Sequence, residues 1–165
     1  MMKTTVRPAT VDDAQDIAGI YNHYIEHTVI TFEEDSVPAH EMASRIAEVQ
    51  ALSLPWLVAE IDARVVGYAY AGKWKPRSAY RYAVETAIYL EQGQQGRGIG
   101  TTLYAALLPA LRASGIHAAI GGVALPNDAS VALHEKLGFT SIGHFREVGW
   151  KLGRWIDVGY WEIVL

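Results

Sequence analysis

The run Gln95-Gly96-Arg97-Gly98-Ile99-Gly100 lies between the apolar stretch Val84 to Leu90 and a leucine-striped segment. Glycines there let the backbone approach a ligand and aim successive N–H groups at it, while the helix that follows adds the positive end of its dipole. The chemistry this predicts is anion binding, with phosphate oxygens as the fitting guests. A Walker loop requires a lysine after its last glycine, but Gly100 is followed by Thr101 and Thr102. A dinucleotide fingerprint requires a third glycine where Leu103 stands, and an acidic residue about twenty positions on, where Ala118, Ala119 and Ile120 stand.

Other chemistry-bearing groups are sparse. With no cysteine, disulfides, a thiol nucleophile and thiolate metal sites are excluded. Ser114, Ser130 and Ser141 lack the glycine-flanked context of a hydrolase nucleophile. His23 and His27 share a helical face, but no glutamate follows His23 as His-Glu-x-x-His demands, and His40, His117 and His144 are dispersed, so no metal is expected. Glu85, inside the otherwise apolar Val84-Glu85-Thr86-Ala87-Ile88, is either a solvated strand charge or a proton acceptor. His134, on an apolar helix face, is either a satisfied core residue or an acid–base group.

These residues need a scaffold, and its elements are readable. Thr4 to Pro8 reads as a strand, and Thr10 with Asp13 resembles a capping pair opening a helix through Ala14, Ile17, Ala18, Tyr21, Tyr24 and Ile25. A loop from Thr28 to Val37 carries Phe32, and a second helix runs from about Pro38 to Val49. Trp56–Glu60 and Val65–Trp74 form a hairpin around Asp62-Ala63, and Lys73 to Tyr82 is irregular. After the strand Val84–Leu90, Ile99, Leu103, Leu107 and Leu111 stripe one helical face, where Pro109 predicts a kink or an early end before Gly115. Ala118–Leu125 is a strand and Asp128–Leu137 a helix stopped by Gly138; Phe139–Val148 and Trp155–Val164 are closing strands. Trp56, Trp150, Trp155 and Trp161 read as packing residues. The order predicts one α/β domain, a mixed sheet with helices on its faces.

Composition agrees with this. A chain of 165 residues, 50% hydrophobic, suits a single domain with a real core. A net charge of -4 with scattered cations offers no field for nucleic acid. No apolar stretch reaches the roughly 18 residues of a membrane span, and the N-terminal segment with Lys3, Arg7, Asp12 and Asp13 lacks a signal-peptide core. The expectation is a soluble cytoplasmic protein with neither a nucleic-acid nor a membrane partner.

As Gln/Arg-x-x-Gly-x-Gly after a strand, the glycine loop resembles the pyrophosphate loop of the GCN5-related N-acetyltransferase superfamily, the users of acetyl-coenzyme A. Asn127-Asp128-Ala129-Ser130-Val131-Ala132-Leu133-His134-Glu135-Lys136-Leu137-Gly138-Phe139 resembles the superfamily's Asn-x-x-Ala/Ser…Tyr-x-x-x-Gly-Phe run, with His134 at the tyrosine position. A closer resemblance, from about Val6 to Trp161, is to the phosphinothricin and methionine-sulfoximine N-acetyltransferases. It rests on Asn22-His23-Tyr24-Ile25-Glu26, Trp74-Lys75-Pro76-Arg77-Ser78-Ala79-Tyr80, Val84-Glu85-Thr86-Ala87-Ile88-Tyr89, Leu125-Pro126-Asn127-Asp128 and Trp155-Ile156-Asp157-Val158-Gly159.

The resemblance implies a mixed, mostly antiparallel central sheet, splayed at the acetyl-CoA site and flanked by helices. It implies that Gln95, Gly96, Arg97, Gly98, Ile99, Gly100 and Thr101 hold the pyrophosphate and that Asn127 meets the pantetheine arm. Backbone groups of Ile88, Tyr89 and Leu90 would serve pantetheine and the oxyanion. An α-ammonium must lose a proton before attacking a thioester, and Glu85 is the implied base. His134 then either protonates the departing thiolate or acts as base with Glu85 orienting it. Lys75, Arg77 and Tyr80, unless merely a solvated loop, are matched to the acidic head group of a glutamate or methionine analogue, with Phe32 as a wall. A homodimer is expected, with the aromatic-rich C-terminal strand in its interface. Rival expectations are acetylation of another small amine or a protein amine, and a non-catalytic acetyl-CoA-binding module.

Overall fold

A computed structural model describes residues 3–165. The elements are β1 (Thr5–Pro8), α1 (Ala14–His27), α2 (Ala39–Ala51), β2 (Trp56–Ile61), β3 (Arg64–Lys73), β4 (Ala83–Leu90), α3 (Ile99–Ala113), β5 (Ala118–Leu125), α4 (Asp128–Lys136), β6 (Thr140–Lys151) and β7 (Arg154–Val164). The strands form one seven-stranded sheet in the order β1-β2-β3-β4-β5-β7-β6. Every neighbouring pair is antiparallel except β4 and β5, which run parallel.

Helical periodicity decides which face each helix covers. On α1 and α2 the stripe Ile17, Tyr21, Tyr24, Met42 and Ile46 is buried against Trp56, Val58 and Tyr68 on one face of the sheet. On α3 the stripe Ile99, Leu103, Leu107 and Leu111 is buried against Leu57, Ala69, Val84 and Ala119 on the other. Strand β4 therefore has two characters: Val84, Ile88 and Leu90 join the α3 side, and Tyr89 joins the α1 side. Near the chain start, Arg7 forks onto the Asp13 carboxylate at 2.8 Å and reaches Glu60, while the Thr10 amide donates to Asp13. That Thr10–Asp13 contact starts a 3₁₀ turn, Val11–Asp13, that runs into α1.

Strands β4 and β5 share only four rungs, from Ala83↔Ala118 to Thr86↔Gly121. Beyond Thr86, β4 stays paired with β3 out to Leu90, and beyond Gly121, β5 stays paired with β7 out to Leu125. The two strands thus separate toward their C-terminal ends, and the backbone groups of Ile88 and Leu90 and of Gly122 and Ala124 face each other across a gap with no ladder bond between them. This is the splay the resemblance implies.

Several expectations need correction. Pro109 does not end α3, which continues to Ala113, because Leu107 and Leu111 on either side of it are fully buried and hold the last turns in place. Trp56 and Trp161 are core residues, but Trp150 and Trp155 are 55% and 59% exposed and pack mainly on each other, with ring centroids 4.9 Å apart. Strand β6 extends past Val148 to Lys151 and turns through Leu152-Gly153, both at positive φ; a leucine there gives no turn signal. The irregular segment after β3 contains one 3₁₀ turn, Ser78–Tyr80.

Candidate functional site

Two connected hollows follow the gap between β4 and β5. The first is a groove of about 500 Å³ beside the glycine loop and α4, and the second is a cleft of about 390 Å³ at the gap itself. Ile30, Ile88, Asn127 and Ser130 line both, so the hollows are continuous.

The groove is built from backbone. Gly96 and Gly98 hold positive φ, and Gly98 caps α3 in the left-handed conformation, which a side chain would strain. The first α3 hydrogen bond is Thr102 N–H to the Gly98 carbonyl at 3.0 Å, leaving the amides of Ile99, Gly100 and Thr101 without an intrahelical acceptor. Those amides, with the helix dipole behind them, are free donors at the place where the loop reading expects an anion. Of the expected coenzyme residues, Ile88, Leu90, Gln95, Gly96, Gly98, Gly100, Thr101 and Asn127 line the groove. The Ile99 side chain is buried in the core, so only its backbone is available. The Arg97 guanidinium turns to Gln94, donating at 2.6 Å, and Tyr89 packs against Tyr21 and Tyr24 and lines the cleft instead. Asn127 caps α4, accepting from the Ser130 amide at 3.2 Å. The groove also uses Tyr24, whose hydroxyl donates to the Leu90 carbonyl at 2.5 Å and accepts from Gln95 at 3.3 Å, tying the splayed end of β4 to the loop.

Glu85 and His134 reach the gap from opposite faces of the sheet. A Cβ on Gly121 would meet His134 Nε2 at 2.6 Å, whereas a Cβ on the next residue, Gly122, would meet Tyr160 at 3.1 Å and the Glu85 carboxylate at 3.4 Å. Since successive strand residues point to opposite faces, His134 stands on the α3–α4 side and Glu85 on the α1–α2 side. These two adjacent glycines leave the room in which both side chains reach the gap.

His134 is held on both nitrogens. Nδ1 lies 2.7 Å from the Ser130 carbonyl, which can only accept, so Nδ1 carries the proton. Nε2 lies 3.1 Å from the Tyr104 hydroxyl, itself 3.1 Å from Thr86 Oγ1. In the neutral ring Nε2 is an acceptor facing the Tyr104 hydroxyl, whose single proton serves either it or Thr86 Oγ1. Burial pushes the histidine pKa down and favours this form, opposed by the bond to Ser130. Burial raises the Tyr104 hydroxyl to about 12. Among the described residues Glu85 has neither an ion-pair nor a hydrogen-bond partner, and no bond joins it to His134. Its carboxylate, open to the cleft but walled by protein, has its pKa raised by desolvation, with Lys75 drawing it back down. The Ser130 carbonyl, rather than Glu85, orients the imidazole.

Phe32 lines the cleft with Ile30 and Thr31, so the α1–α2 loop forms its wall. Lys75 and Arg77 line a separate depression with Lys73 and Arg81, and Tyr80 is exposed outside the cleft. Lys75 is linked to the cleft indirectly, its ammonium 4.9 Å over the Trp74 ring and Trp74 edge-on to Tyr160. The structure thus brings Glu85, His134 and Phe32 together and leaves Lys75, Arg77 and Tyr80 at the periphery. Tyr104 and Thr86 escaped the sequence reading because a tyrosine beside Leu103 and a threonine in a strand both read as packing. Among the described residues no group of three or more His, Asp or Glu side chains is placed to hold a metal, and no helix is long and apolar enough to cross a membrane.

The fold and gap define a coenzyme-dependent acyl-transfer site, and comparison with known proteins agrees. The acetyltransferase (GNAT) domain family matches residues 6–159, and the chain belongs to that family, acyltransferases whose acetyl donor is acetyl-CoA. It is 42% identical over 157 residues to the phosphinothricin N-acetyltransferase of Streptomyces viridochromogenes, covering 95% of this chain and 85% of that one. It is 35% identical over 161 residues to the L-methionine sulfoximine/L-methionine sulfone acetyltransferase of Salmonella typhimurium, covering 98% and 94%. The crystal structure of a phosphinothricin acetyltransferase from Sinorhizobium meliloti in complex with acetyl-CoA superimposes with a TM-score of 0.96 at 35% identity, covering 99% and 89%.

Proposed function

We propose that this acetyltransferase transfers acetyl directly from acetyl-CoA to the α-amino group of a small glutamate or methionine analogue, with phosphinothricin, methionine sulfoximine and methionine sulfone as the first substrates to test. The observation that carries this reading is the placement of Glu85 and His134 on opposite faces of one gap, with the anion cradle at the end of the groove leading to it. A thioester in the gap presents its carbonyl to an amine on the Glu85 side and its sulfur to the His134 side.

Glu85 accepts the proton of the incoming ammonium, and its desolvation-raised pKa makes it a better base than an ordinary carboxylate. The amine then attacks the carbonyl carbon. The register turns the Tyr89 backbone to β3 and leaves the Leu90 N–H facing the gap, free to donate to the tetrahedral oxyanion. As the carbon–sulfur bond breaks, its electron pair goes to sulfur, which faces the Tyr104–His134 side. The nitrogen gives up its second proton, which ends on the departing sulfur, so that coenzyme A leaves as the thiol and the product is the neutral amide. Lys75, whose charge reaches Glu85, is the proposed donor to an acidic head group; Arg77 and Tyr80, outside the cleft, would serve it only at the rim. Acetylation would neutralise the amine such inhibitors carry, so a detoxifying role in the cytoplasm, including herbicide resistance, is part of the proposal.

A homodimer is proposed as well. Ile142, Phe145, Val148, Trp150, Leu152 and Trp155 on the β6–β7 hairpin are all more than half exposed, a concentration of apolar side chains on an edge strand that a second copy would cover. Sedimentation equilibrium tests this, with Trp150→Glu expected to give monomers. The function itself is tested by thiol release from acetyl-CoA with a panel of free amino acids, their sulfone, sulfoximine and phosphinate analogues, and peptides. Preferential turnover of the analogues supports the proposal. Turnover confined to peptides, or none with any amine, refutes it.

A further inference from the structure

Strand β6 is exposed along its length except at Gly149 and Lys151, two positions apart and therefore on one face. Both are buried near the same loop, the α1–α2 connection that walls the cleft. A Cβ on Gly149 would stand 2.3 Å from Phe32 Cζ, far inside van der Waals contact, so the phenyl ring occupies the space a side chain would need. Lys151, 3% exposed, donates from Nζ to the Thr31 carbonyl at 2.8 Å. From the other side, Glu33 is held by the Arg45 fork at 2.7 and 2.9 Å and by the Tyr21 hydroxyl. Ile30, Thr31 and Phe32 are thus clamped between α1–α2 and the tip of the β6–β7 hairpin, on the Glu85 side of the gap, where the amine must enter.

We propose that Gly149 and Lys151 are specificity-determining positioning residues: the glycine lets the Phe32 ring sit back against β6 as the wall of the cleft, the lysine fixes the backbone carrying it, and together they set the length of acceptor the cleft admits. Neither residue lines the cleft, so both act through Phe32. A residue at position 149 with any side chain forces the ring off β6 and so displaces the wall it forms on the cleft. A buried ammonium on a backbone carbonyl is costly to replace by an apolar group, because Thr31 would then lose its donor.

The proposal rests on the acetyl-transfer reading of the cleft, and its test separates the two. The intact enzyme and its Gly149→Ala variant are assayed with acetyl-CoA and a series of amino-acid sulfones of increasing side-chain length. Gly149→Ala should lower kcat/KM for the methionine-length acceptor by about tenfold relative to the shortest, the scale of a one-methylene misfit, with the KM for acetyl-CoA unchanged. Adding Phe32→Leu should restore the long acceptors, a rescue that a merely structural role for Gly149 would not give. If Gly149→Ala does not fold, Lys151→Met serves: it should raise acceptor KM and flatten the length preference while sparing kcat. A parental length profile in a folded Gly149→Ala or Lys151→Met variant, or a uniform loss across the series, overturns the proposal. A parent chain that turns over no amine refutes the acetyl-transfer reading and this inference with it.

Discussion

Replacing Tyr104 by Phe removes one oxygen and little else. The hydroxyl is fully buried and bridges Thr86 Oγ1 and His134 Nε2, each at 3.1 Å. Thr86 retains a second acceptor, the Ile120 carbonyl at 3.5 Å, so the substitution strands mainly His134 Nε2. A buried polar atom left bare costs about 1–3 kcal/mol, and with Thr86 partly compensated a loss of about 2 kcal/mol is expected. For a domain of this size that corresponds to a fall in Tm of roughly 4–8 °C. Urea unfolding at pH 8, where His134 is neutral, should show the loss as a shifted midpoint at constant slope. The same variant reads where the Tyr104 proton sits: if it goes to Nε2 it favours the neutral ring, and its loss should raise the His134 pKa, which burial holds low, toward the ordinary value. NMR titration of the imidazole reads this independently of stability. An unchanged midpoint together with an unchanged titration would mean that the Tyr104 proton goes to Thr86 and not to His134.

Glu85→Gln should lower kcat by about 100-fold or more with acetyl-CoA affinity retained, and the deficit should shrink at alkaline pH as the amine arrives neutral; a pH-independent deficit rules out a base. Gly98→Asp should abolish acetyl-CoA binding in a folded chain, since it strains a residue at positive φ and puts negative charge where the cradle accepts an anion; near-native affinity by calorimetry removes the cradle from the account. Lys75→Ala should raise KM for acidic acceptors only, and equal effects on neutral amines would deny it that role. The Arg7 fork holds the Asp13 carboxyl below its ordinary range, so its stabilisation is present above the ordinary carboxylate pKa and lost as pH falls through the depressed one. Arg7→Met should cost about 1–2 kcal/mol at pH 7, after allowance for the partial exposure of Arg7, and the gap should close in acid; a difference constant down to pH 2 contradicts this.

What the sequence discloses follows from how local the cause is. The glycine turn was legible because positive φ at Gly96 and Gly98 and the start of α3 are short-range matters, while the Asn127 cap, equally local, was hidden behind its likeness to a coenzyme contact. The face of each helix followed from its apolar stripe. The joint position of Glu85 and His134 was not, since it depends on where two strands stop pairing, and no residue of β4 or β5 announces that. Tyr104 stands outside the stripe of Ile99, Leu103, Leu107 and Leu111, and its hydroxyl gains meaning only from His134 thirty residues on. Gly149 and Lys151 gave no signal because what covers them comes from the other end of the chain. Trp150 and Trp155 misled in the opposite sense: large apolar side chains read as core whether they meet their own chain or another surface.

The four rungs between β4 and β5 also have a mechanical meaning. The sheet consists of two antiparallel plates, β1 to β4 and β5 to β6, and within the sheet only those rungs join them. An open seam ending in a bonded one concentrates load at its tip, here the Thr86↔Gly121 rung. Forced apart, the plates would part from that rung backward. Tyr104 reaches across from α3 to Thr86 at this point, a rivet at the end of a crack. A ligand lodged in the seam shares the load, so pulling experiments should find the plates harder to separate when the seam is filled.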